Sequence, residues 1–154
     1  MVGLAACGPA GAQPTAPTNA PSGITAPAGW SALPELAKSV ADATKAEGVT
    51  VDGVEAWGET ARGCYAVWLS LAGSGANADA VIAGLAAEKL ATSSVVKPEA
   101  TDGVTSLAFA KPPHTGRLRV RTQGGKLAAI ACFANQREPA SCDAPCTTLL
   151  GAIP

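Results

Sequence analysis

Apolar residues recur with two different periods along the chain, and each switch of period marks an element. Leu33, Leu36, Ala37, Val40, Ala41 and Thr44 fall at helical spacing, so a first helix is expected, with Ser31 as N-cap and Pro34 and Glu35 in its first turn. Gly48 ends it. A strand follows over 49–57, with Val49, Val51 and Val54 pointing one way. After the turn Glu59-Thr60-Ala61-Arg62-Gly63 comes the strongest strand pattern of the chain, 64–71, in which Tyr65, Val67, Leu69 and Leu71 make one apolar face. Asn77 or Asp79 caps a second helix running to Leu90, with Val81, Ile82, Leu85, Ala86 and Leu90 as its stripe. Three more strands are expected over 105–110, 117–122 and 126–134. Asp102-Gly103 signals a turn before the first of them, and Gln123-Gly124-Gly125 a hairpin between the last two. A short helix over 144–151 closes the pattern.

The predicted order is therefore α-β-β-α-β-β-β-α. Hairpin-length links imply a mainly antiparallel sheet of about five strands, and helices with a single apolar stripe belong on one face of it, giving a two-layer α+β fold. A length of 154 residues bounds this to one domain with a tail. Residues 8–29 hold Pro9, Pro14, Pro17, Pro21 and Pro27 and no charge. Proline fixes φ and removes a donor, so this stretch reads as an extended linker and residues 30–154 as the single domain, with Trp30 anchoring its start.

Charge narrows the partners. Eleven Lys+Arg against twelve Asp+Glu leave a net −1, so there is no bulk positive field for nucleic acid. Aromatics are 4% of the chain, so the core must be built largely from small side chains. No apolar run is long enough to cross a bilayer as a helix.

The sharpest local signal is Leu4-Ala5-Ala6-Cys7. These four residues resemble the lipobox of bacterial lipoproteins, in which an aliphatic and two small residues precede a cysteine. The resemblance implies diacylglycerol on the Cys7 thiol, cleavage just before it, and acylation of the new amino group. Residues 1–6 are then the remnant of a signal peptide and residues 7–29 a lipid-anchored spacer. Two or three acyl chains hold a protein on a membrane where one does so only marginally. The implied location is the cell envelope, and Gly8 in place of an aspartate implies the outer membrane, facing the periplasm, in a Gram-negative cell.

With Cys7 lipidated, Cys64, Cys132, Cys142 and Cys146 remain. An even count in an exported protein points to two disulfides, with three ways to pair them. The favoured pairing is Cys132–Cys142 with Cys64–Cys146, which staples the last helix to the sheet; the alternative is Cys64–Cys132 with Cys142–Cys146. A structural zinc site needs two short cysteine knuckles, and only Cys142-x3-Cys146 qualifies, so no metal is expected.

Other chemistry is sparse. Gly73-Ser74-Gly75-Ala76-Asn77-Ala78 is a loose dinucleotide fingerprint, read as a strand-to-helix loop, and no cofactor is assigned. His114, the one histidine, sits in Lys111-Pro112-Pro113-His114-Thr115-Gly116 without a nucleophile motif and reads as an exposed turn residue. Glu55, Glu59, Asp102 and Glu138 could supply a carboxylate pair, but their spacing selects none, so no catalytic residue is assigned. Arg117, Arg119 and Arg121 alternate with Leu118 and Val120, placing three guanidiniums on one strand face. They are candidate partner-binding residues, joined by Trp57 and Trp68 if those share the arginine face rather than the core. The expected function is a tethered binding or scaffold module whose partners are the membrane, through its lipid, and a candidate envelope protein. The alternatives are a small envelope hydrolase using carboxylates, and an inhibitor or immunity-type protein presenting the Lys111-to-Gly116 loop.

Overall fold

The structure, a computed structural model, describes residues 22–72, 99–101, 103–111, 113–123, 125–135 and 139–153. The elements run β1 (Ser31–Ala32), α1 (Pro34–Ala46), β2 (Thr50–Glu59), β3 (Cys64–Ala72), β4 (Glu99–Thr101), β5 (Val104–Lys111), β6 (His114–Gln123) and β7 (Lys126–Asn135). A 3-10 turn (Pro139–Cys142) then leads into α2 (Asp143–Gly151). The class is α+β. The expected strand count and order need correction: among the described residues the sheet has six strands of three residues or more, plus the two-residue β1, in the order β1-β2-β3-β7-β6-β5-β4. Every neighbouring pair is antiparallel. The second helix expected up to Leu90, and the glycine loop before it, lie outside the described residues.

Two meanders, β1-β2-β3 and β4-β5-β6-β7, meet along β3 and β7 at the centre of the sheet. The sequences of those two strands explain why. Lys126–Asn135 reads KLAAIACFAN, a near-continuous apolar run, and Cys64–Ala72 reads CYAVWLSLA. Such runs suit strands covered on both faces. One face carries Cys64, Ala66 and Trp68 of β3 beside Ala134, Cys132 and Ile130 of β7, packed with Trp30, Trp57 and α2. The opposite face carries Leu69 and Leu71 of β3 and Leu127, Ala129 and Ala131 of β7, packed with Leu107, Leu118 and Val120.

The helices do not share a face, which corrects the two-layer expectation. Leu33, Pro34 and Leu36 at the start of α1 lie with Tyr65, His114 and Phe133, whereas Cys142 at the N-cap of α2 and Cys146, Leu149 and Leu150 within it cover the cysteine side. A strand pair apolar on both sides needs cover on both. The start of α1 also differs from expectation. The Leu33 amide donates to Ala56 O at 2.8 Å, which keeps Ser31 and Ala32 extended as β1. Leu33 therefore becomes the N-cap, without a side-chain cap bond, and Pro34 opens the helix. A bulge between Val51 and Gly53 inserts Asp52 into β2, and so Val51 and Val54 face the same side although they are three apart. Cover on the cysteine face begins before Trp30: Ile24 is buried there, and the Ser22 amide donates to Glu55 Oε2 at 3.0 Å.

Two cysteine pairs sit at bonding distance, Cys64–Cys142 and Cys132–Cys146, each with 5.5 Å between Cα atoms. Both bridges join α2 to the sheet as expected, but the pairing is the third of the three, neither the favoured one nor its alternative. Helix direction decides it. Cys64 and Cys132 stand on the same face of adjacent strands, and α2 begins over β3 and reaches β7 one turn later. Closing loops of 78 and 14 residues removes roughly 4.5 and 3 kcal/mol of unfolded-chain entropy when each bridge is taken alone.

Two measurements check this packing. A Cβ on Gly116 would lie 2.5 Å from Phe109 Cζ, 2.6 Å from Cys132 O and 2.7 Å from Phe133 Cβ, whereas one on Gly151 meets nothing within 4 Å. Gly116→Ala should therefore cost about 1–3 kcal/mol in urea denaturation, and Gly151→Ala should be neutral or gain up to about 1 kcal/mol. Non-reducing peptide mapping should recover Cys64 with Cys142 and Cys132 with Cys146, and replacing either pair by serine should lower stability by about 2–5 kcal/mol.

Candidate functional site

Strand β6 alternates, and the two sides of it lead to different places. Arg117, Arg119 and Arg121 lie on the cysteine face, in register with Cys132, Ile130 and Ala128 of β7. Trp57 and Trp68 share that face through β2 and β3, so the structure brings all five sequence-selected residues to one side of the sheet. It does not bring them together as one exposed patch. Trp57 and Trp68 are 6% and 5% exposed, covered by Ile24, Trp30 and α2. The Trp68 indole Nε1 has no acceptor among the described residues, so what this side chain contributes is packing.

Two of the arginines hold α2. Arg117 donates to Thr147 Oγ1 at 3.0 Å and to Asp143 O at 3.3 Å. Arg119 donates to Leu150 O at 2.9 Å, a carbonyl in the last turn of α2, where helix dipole and orphan acceptor both favour a cation. None of the three ion pairs among the described residues (Lys38–Asp42, Arg62–Glu59 and Lys126–Asp52) involves a β6 arginine. On α1, Lys38 donates to Asp42 at 2.6 Å; this bond holds the Asp42 carboxyl below its usual range and Lys38 above its own, and full exposure leaves the pair screened by water.

The other face carries a site that sequence reasoning missed. Tyr65 and Phe133 are direct cross-strand neighbours on β3 and β7, with ring centroids 5.5 Å apart and planes 22° from parallel. The flanking residues in the same row are both glycine: Gly58 beside Tyr65 and Gly116 beside Phe133. A Cβ on Gly58 would lie 2.8 Å from Leu33 Cδ1 and 3.2 Å from Tyr65 Cδ1. The glycines thus give the two rings and the α1 entry room to lie against the sheet. His114 closes the corner, its ring 5.6 Å from Phe133 at 85° and 6.4 Å from Tyr65 at 75°. It is half-buried at the start of β6, not in a loop, because β5 runs to Lys111 and β6 begins at His114.

Together with Leu33, Pro34, Glu35, Leu36 and Thr60, these rings enclose an open cleft of about 460 Å³. That is within the roughly 300–1,000 Å³ of small-molecule sites. Its walls are mainly aromatic and aliphatic, with Glu35, Thr60, Tyr65 and His114 as the polar residues of the lining. This is the chemistry of holding an apolar ligand by shape and by contact with ring carbons. Gly58 and Gly116 fell just outside the expected strands 49–57 and 117–122, so they gave no signal as strand glycines, and the pairing of β3 with β7 is not visible along a single strand. Among the described residues, no three His, Cys, Asp or Glu side chains converge as a metal site would need. Glu55 accepts the Ser22 amide and Glu59 pairs with Arg62; Asp102 and Glu138 lie outside the described residues.

No protein-family model, no curated protein and no solved structure matches the chain.

The role of Arg119 as a strap for α2 is measurable. Arg119→Ala should lower stability by about 1–3 kcal/mol, the range for a hydrogen bond to a charged group, while Arg121→Ala should stay within about 0.5 kcal/mol. Chemical denaturation compares the two directly.

Proposed function

We propose that this chain is an exported binding module, tethered to the cell envelope through a lipid on Cys7, which takes its ligand in the Tyr65–His114–Phe133 cleft. The observation that carries the binding half is the cleft itself, where three rings and the aliphatic entry of α1 stand at an opening to solvent. Its almost wholly apolar lining with few polar residues is what small-molecule sites have in common.

Export is supported independently. Disulfides persist where the environment is oxidising, and two cysteine pairs at bonding distance suit such a compartment. Their formation leaves Cys7 as the odd thiol, in the sequence that resembles a lipobox. No helix among the described residues is long and apolar enough to cross a membrane, so attachment in this reading is through lipid. The uncharged, proline-rich residues 8–21 then act as spacer between lipid and domain. In a Gram-negative cell the reading places the domain at the outer membrane, facing the periplasm, with an envelope protein or an envelope solute as its partner.

Intact mass after fractionation of the native cells tests this. The expected result is a membrane-bound species beginning at Cys7, carrying acyl mass and no free thiol, and released to the soluble fraction by Cys7→Ala. A soluble cytosolic protein with all five thiols reduced would overturn the tether and the export together.

A further inference from the structure

We infer that this chain is a client of disulfide isomerisation: its two bridges are reached through wrong ones, which a thiol from outside the chain must undo. The inference stands on the bridge pattern and is independent of the cleft and the tether. In chain order the cysteines of the domain are Cys64, Cys132, Cys142 and Cys146, and the bridges join the first to the third and the second to the fourth. They interleave, so neither joins cysteines that are neighbours along the chain.

An unfolded chain closes short loops more often than long ones, with a probability that falls roughly as the 3/2 power of length. The 78-residue loop of Cys64–Cys142 therefore closes about tenfold less often than the 14-residue loop of Cys132–Cys146. The first bond falls within the cluster of Cys132, Cys142 and Cys146. Of the three bonds possible there, Cys132–Cys142 and Cys142–Cys146 are wrong. Both close shorter loops than the right one, and both consume Cys142, which Cys64 needs. Local structure does not settle the choice in advance. With nine residues, α2 is too short to hold its helix before it docks. Its seat on the sheet exists only once β3 has paired with β7.

Burial separates right from wrong. In the native pairing all four cysteines are between 0% and 5% exposed. A wrong bond takes Cys142 away from β3, so α2 cannot seat and the sulfurs stay open to attack. The thiolate of an isomerising enzyme attacks one sulfur of the wrong bond, forms a mixed disulfide and releases the other sulfur as a thiolate. A thiolate of this chain then displaces the enzyme, which leaves as the thiolate it began as, so no net oxidant or reductant is consumed. Exchange stops when the native bridges are covered.

The test uses the full chain with Cys7→Ala, which keeps only the four thiols of the domain. The reduced, unfolded chain is returned to native buffer with diamide, an oxidant that brings no thiol. Part of the product is then given reduced glutathione and a purified disulfide isomerase. Cleavage after Arg62 and Arg137 and before Asp143 puts the four cysteines on separate peptides for non-reducing mapping. Diamide alone should leave the native bridges in fewer than half of the chains, with Cys132–Cys142 and Cys142–Cys146 peptides recovered. The isomerase should then raise the native fraction about twofold or more. Native pairing in most chains with diamide alone would overturn the inference, as would wrong pairs that the isomerase leaves unchanged. Cys64→Ser with Cys142→Ser leaves a single possible bond, which should close completely in diamide alone. A need for the isomerase there would trace the delay to something other than mispairing and overturn the inference too.

Discussion

The pairing of β3 with β7 is the contact on which the structure depends. It joins residues far apart in the chain, Cys64 to Ala134 at one end and Ala72 to Lys126 at the other, and welds two meanders that would otherwise be separate small sheets. Non-local pairing is entropically expensive, because the loop closes before any contact rewards it. Burial on two faces offsets that cost here. Both strands turn mostly apolar residues to each side, and both clusters of the core are built around them.

Alanine-rich strands bury little area per residue, so further ties matter more than in a core of large side chains. The terminal helix supplies them. It crosses from β3 to β7 with a cysteine over each, and Arg117 and Arg119 of the next strand grip its backbone near both ends. The arginine stripe that looked like a docking surface in one dimension is in large part a set of clamps. On the reverse side the same strand pair places Tyr65 beside Phe133, so one pairing event sets the stapled face and the open cleft together.

What was legible in the sequence follows from the range of each interaction. The 3.6-residue pattern of α1 and the alternation in β3 and β6 are local, and they located those elements to within a few residues. The glycine turns were legible for the same reason: Gly103 has positive φ at the expected turn and Gly125 at the expected hairpin. The first strand was hidden because two residues carry no periodicity, and only the Leu33-to-Ala56 hydrogen bond makes them extended. The disulfide pairing was hidden because it depends on which way the last helix crosses the sheet. The cleft was hidden because its walls come from α1, β3, β6 and β7, and no one-dimensional spacing brings Leu33, Tyr65, His114 and Phe133 together. Ile24 was hidden inside a stretch whose prolines argued against any packing at all.

The two bridges land four residues apart, at the N-cap and in the first turn of one helix, and on two strands whose neighbourhood exists only after long-range assembly. A chain that slid by one position along the central ladder would turn one cysteine of the sheet to the wrong side, and the helix could then close at most one bond. The pair of links therefore works as a covalent record of correct registration. Molecules that carry both have passed an inspection that oxidation of either alone does not impose.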